Sequence, residues 1–80
     1  MTEKHETSIA AIRVRLAARA YIAWRRAESE SERLLHTWFA ATGADEAPAY
    51  LAYCSALDRE EAAARALAPY RSATAETLLA

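Results

Sequence analysis

Glycine and proline are almost missing from this 80-residue sequence: Gly43 is the one glycine, and Pro48 and Pro69 are the two prolines. β-branched residues are few and nowhere alternate with polar ones, so nothing in the chain reads as a strand. Cys54 stands alone, which rules out an intramolecular disulfide and leaves no sign of an oxidising compartment. A cytoplasmic location follows as the default expectation. No apolar run is long enough to span a bilayer, and no signal-peptide core stands at the N-terminus, so no membrane role is expected. Lysine is also scarce, with Lys4 its single representative, and the formal net charge is −1. A chain so balanced has no global electrostatic pull toward nucleic acid or a membrane surface.

What is present is alanine, leucine, arginine and glutamate in abundance, the composition of an all-α chain. The organising stretch is Ile9 to Ala41. Ile9, Ile12, Leu16, Ala20, Ala23, Ala27, Leu34, Trp38 and Ala41 recur at steps of three or four, as one face of a helix requires. Ala10, Val14, Ala17, Tyr21, Trp24, Leu35 and Phe39 form a second apolar arc beside it. Two arcs predict burial against two neighbours. The segment Glu28–Glu32 has no large apolar residue, and Ser29 with Glu32 fits a capping box that would start a new helix. The stripe resumes in phase at Leu34, which predicts that the helix continues through.

Gly43 stands where a left-handed residue would end this helix, and Asp45 is placed to cap the next. Pro48 is tolerable in a first turn, and Pro69 should end or kink the second helix. The expected architecture is therefore an all-α antiparallel helical hairpin. Its first helix spans about 3–42, its turn about 43–45, its second helix about 46–68, and a short C-terminal helix about 70–79. On the second helix the expected buried side is Tyr50, Tyr53, Cys54, Leu57, Ala64, Leu67 and Ala68, with Ala52, Ala56 and Ala63 on the flank. A single small domain rich in alanine buries little alone. Dimerisation into a four-helix bundle, or docking on a larger protein, is the natural way to complete its core.

No catalytic set emerges. Cys54 has no histidine placed to activate it, the hydroxyls have no His/Asp partners, and no glycine loop or zinc spacing is present. The expectation is a non-enzymatic interaction protein, adaptor or accessory subunit that needs no cofactor. Its candidate partner-binding residues are Tyr21, Trp24 and Arg25 with Arg15, Arg19 and Arg26, because Trp, Tyr and Arg concentrate binding energy at interfaces. Between Ile9 and Ala27 there is no acid, so the arginines form a basic stripe that gives RNA or DNA binding as one alternative, on the architectural analogy of Rop-type hairpin dimers. The segment around Gly43 does not fit a DNA-reading helix-turn-helix, because the helix after it is acidic.

A further alternative is a carboxylate metal site. A hairpin turning near Ala44 brings Glu28, Glu30 and Glu32 level with Asp58, Glu60 and Glu61. Glu28, Glu32 and Glu61, with His36 one turn after Glu32, are the candidate ligands. In the middle of the chain, Glu32, Trp38-Phe39, Pro48 and the Asp-Arg-Glu-Glu of 58–61 are together similar to the encapsulated ferritins. Those are hairpins that dimerise around iron, and the resemblance implies that fold and that metal. Their Glu-x-x-His pair is not matched, since Ala64 follows Glu61 at the histidine's position. The competing reading pairs these acids with arginines at helical spacing, Glu28 with Arg25 and Glu61 with Arg65.

Overall fold

A computed structural model describes the backbone of residues 2–79 and the side chains of residues 8–71. Helix α1 spans Thr2–Ala40 and helix α2 spans Glu46–Leu79, and the two pack antiparallel along each other. No strand occurs among the described residues. The hairpin is 65 × 24 × 14 Å, a single layer two helices wide.

α1 runs unbroken through Glu28–Glu32. The continuous helix is thus what forms, and the capping-box alternative at Ser29 does not. Helical-spacing ion pairs explain part of this tolerance. Arg25 reaches Glu28 at 3.4 Å, and Arg33 holds Glu30 through two contacts of 2.6 and 3.0 Å. Pairs of this kind support a helix by a few tenths of a kcal/mol each, roughly.

The connection is a 3-10 turn, Gly43–Asp45. Gly43 has φ +60°, the left-handed value expected of it, and an added Cβ there would touch nothing within 4 Å. Backbone conformation alone, rather than lack of space, therefore favours glycine at this position. Ala41 donates to the Trp38 carbonyl at 3.1 Å and Asp45 to the Thr42 carbonyl at 3.2 Å, closing the turn. Asp45 is the last residue of the 3-10 turn and directly precedes α2, which begins at Glu46. Asp45 and Glu46 still place negative charge at the positive end of the α2 dipole.

Two expectations about α2 need correction. The separate C-terminal helix after Pro69 does not exist: α2 is one helix with Pro69 inside it. Proline removes one backbone donor and crowds the preceding turn, at a cost of about 3 kcal/mol. The alanine-rich sequence on either side and the packing along α1 sustain the helix through that point. The buried side of α2 is also shifted. Ala56 (1% exposed) and Leu67 (5%) are its buried described residues, with Ala49, Ala52, Tyr53, Cys54, Ala63 and Ala64 half-buried, while Tyr50, Leu57 and Ala68 of the expected side are exposed. The alanine flank is the true seam, because small side chains let the helix axes approach.

The same shift occurs on α1. Its most buried described side chain is Ser31, 4% exposed, lying between the two apolar arcs rather than on either. Ala20, Ala27, Leu34 and Trp38 from one arc, and Ala17, Trp24 and Leu35 from the other, are half-buried around it. Ile9, Ile12 and Leu16 from the first arc are exposed, as are Val14, Tyr21 and Phe39 from the second.

Candidate interaction surface

Aromatic residues fasten the hairpin at two levels. Near the turn, Trp38 lies 4.9 Å from Tyr50 and 5.9 Å from both Phe39 and Tyr53, ring centre to ring centre. These spacings fall in the favourable range for aromatic pairs, worth roughly 0.5–1.5 kcal/mol each beyond area burial. They tie α1 to α2 and set their register. Far from the turn, Trp24 meets Tyr21 at 6.0 Å, and the Arg71 guanidinium of α2 sits 5.8 Å from the Trp24 ring centre. This cation–π contact crosses between the helices. Trp24 is thus a bolt of the hairpin itself, half-buried, with Tyr21 exposed beside it.

The six residues expected to bind a partner do not form one patch. Tyr21, Arg25 and Arg26 line a shallow groove of about 600 Å³ on the outside of α1, together with Ile22, Ser29, Glu30 and Arg33. Arg25 is engaged by Glu28. Arg15, Arg19 and Arg26 lie along a separate line, exposed, and none forms an ion pair among the described residues. At roughly 100° per residue this line sits about 140° around the helix from Tyr21. Tyr21 and the basic line thus stand on different edges of α1, and Arg26 joins them, since it lines the groove together with Tyr21 and Arg25.

The candidate metal ligands are likewise dispersed. Glu28 faces Arg25, and Glu61 is held by Arg65 at 2.6 Å. Glu32 and His36 are exposed. Among the described residues no three His, Cys, Asp or Glu side chains converge closely enough to hold a metal ion. Within one chain Glu28, Glu30 and Glu61 take the arginine-paired arrangement that their helical spacing allows.

Two electrostatic features accompany this. The Glu30 carboxyl is held below the usual glutamate range, chiefly by its hydrogen bond to Arg33, with Arg59 across the seam adding to the effect. The Tyr50 phenol is pushed up, chiefly by its hydrogen bond with Cys54 one turn later. Cys54 is half-buried and free, a thiol with a tyrosine neighbour and no activating histidine.

Sequence reasoning missed Ser31. Its hydroxyl is buried without a hydrogen-bond partner. The signal was its position midway between the two apolar arcs, which is where two such arcs meet a single neighbour.

No helix among the described residues is long and apolar enough to cross a membrane. Comparison with protein-family models, curated proteins and solved structures finds no match.

Proposed function

We propose that this chain is a small non-enzymatic interaction protein, an adaptor or accessory subunit that acts as a homodimeric four-helix bundle. The observation that carries this reading is an inverted distribution of apolar side chains. Among the described residues ten large ones, including Val14 at 68% and Phe39 at 72%, remain exposed, while the buried apolar residues are Ala56 and Leu67. Scattered exposed leucines are ordinary, but a hairpin whose large side chains are mostly outside needs another surface to cover them. The aromatic edge of α1 suits protein contact, and the free arginines remain outside to set orientation and partner choice. Sedimentation equilibrium tests this reading. The expected result is a mass that is a multiple of 8.8 kDa, or a partner that co-purifies. A stable 8.8 kDa monomer that melts cooperatively and recovers no partner contradicts it.

A second reading, nucleic-acid binding, is favoured by one observation: Arg15, Arg19 and Arg26 are exposed, aligned and free of ion pairs among the described residues. Filter binding of RNA and DNA across a salt series tests it. Binding through this stripe must weaken steeply with salt, by a log–log slope of about −0.9 per phosphate contact on duplex DNA. A flat profile ends it.

A further inference from the structure

Of the ten exposed large apolar side chains among the described residues, five gather on one broad side of the hairpin, Ile9, Ile12 and Leu16 lie toward the other, and Ile22 and Leu51 stand on the outer edges. At roughly 100° per residue, Val14, Tyr21 and Phe39 lie about a quarter-turn from Ser31, the centre of the α1 seam. Tyr50 and Leu57 lie about a quarter-turn or slightly more from Ala56, the centre of the α2 seam. Because the helices run antiparallel, both rotations lead to the same broad side of the layer. The contacts between helices agree: Arg71 crosses to Trp24 on this side, while Arg59 acts on Glu30 on the opposite one.

We propose that this side, Val14, Tyr21 and Phe39 of α1 with Tyr50 and Leu57 of α2, is covered by a second copy of the same chain. The inference rests on the homodimer reading above and adds which face the two copies share. The first argument is area. The chain exposes 6482 Å², whereas a compact 8.8 kDa protein exposes about 4,800 Å². The excess is about twice the ~800 Å² that each partner gives to an ordinary stable interface. The second argument is shape. At 14 Å the hairpin is one helix layer thick, and a domain needs two layers to enclose a core. A two-fold axis through this face supplies the second layer and makes a four-helix bundle. The third is charge. The acids Glu28 and Glu61 beside the face are already neutralised by Arg25 and Arg65 of their own helices, so a like surface meets little repulsion. Glu32, Glu46 and Glu60 are the acids on this side that lack an ion pair among the described residues.

The test measures the dimer dissociation constant by sedimentation and by fluorescence on dilution, for the wild type and for two double variants. Val14→Ala with Leu57→Ala trims the proposed face. Ile22→Ala with Leu51→Ala trims equally exposed residues on the outer edges of the layer. Alanine is the better helix former at every position, so weakened assembly cannot be assigned to a lost helix. Each substitution acts twice in a symmetric dimer. The face variant should dissociate at least tenfold more readily, as expected for losing buried side chains of this size, while the edge variant stays within about threefold of wild type. If the wild type dimerises and the face variant does not weaken, or the edge variant weakens more, the face is wrong and the bundle reading stands. If the wild type is monomeric at every concentration, both fail.

Discussion

The seam between α1 and α2 and the broad face beside it differ in what they bury completely and what they leave out. At the seam the most buried described residues are Ser31, Ala56 and Leu67, two of them among the smallest side chains available. The face carries Val14, Tyr21, Phe39, Tyr50 and Leu57, all at least 40% exposed. In a self-sufficient domain the large residues would be inside. The difference shows what each contact is for. Small residues bring two helices close and fix their register, but they remove little apolar area from water. Large residues hold the unused driving force.

The comparison breaks most severely at Trp38, which joins α1 to both tyrosines of α2. Trp38→Ala should destabilise the hairpin by about 3 kcal/mol and loosen its register, read as a lower Tm and lost near-ultraviolet dichroism. Ala56→Leu should cost about 2 kcal/mol, because the seam has no room for a larger side chain, and a chain that tolerates it without loss would refute the close seam. Gly43→Ala should cost about 1 kcal/mol through the left-handed backbone alone, since the added methyl meets no neighbour. Ser31→Ala should raise stability by up to about 1 kcal/mol. It removes a buried hydroxyl without a partner and improves helix propensity, so denaturant unfolding should move to higher midpoint.

The smallest effect concerns pH. The Glu30 carboxyl is depressed by Arg33, so its contribution is present above the normal glutamate pKa and fades as pH falls through the lowered value. Arg33→Gln should flatten stability slightly in that acid window and leave neutral pH almost unchanged.

Much of the hairpin was legible from periodicity. The three- and four-residue steps from Ile9 to Ala41 defined α1, and the lone glycine marked the turn with its positive φ. The seam was less legible. Two apolar arcs on α1 look like two large-residue faces, and hydrophobicity alone favours Tyr50 and Leu57 over Ala52 and Ala56. The helices instead pack along the line between the arcs, where Ser31 allows the closest approach. Pro69 misled for a related reason: local rules weigh the lost donor, whereas tertiary packing along α1 and the flanking alanines decide whether the helix goes on. The candidate site was legible in composition but not in arrangement. Tyr21, Trp24, Arg25, Arg15, Arg19 and Arg26 share a composition, but Trp24 packs against Arg71 of α2, Tyr21, Arg25 and Arg26 line one groove, and Arg15 and Arg19 lie outside it. The acids of the middle segment are better explained by spacing than by convergence, because each ion pair found is three or four residues long.

The seam alone does not complete this fold; on the dimer proposal the large side chains complete it between copies. Thermal unfolding followed by circular dichroism over a hundredfold range of protein concentration tests this most directly. A dimer loses about 1.4 kcal/mol of stability with each tenfold dilution, so Tm should fall steadily as the protein is diluted. A Tm that is sharp and independent of concentration would contradict the account.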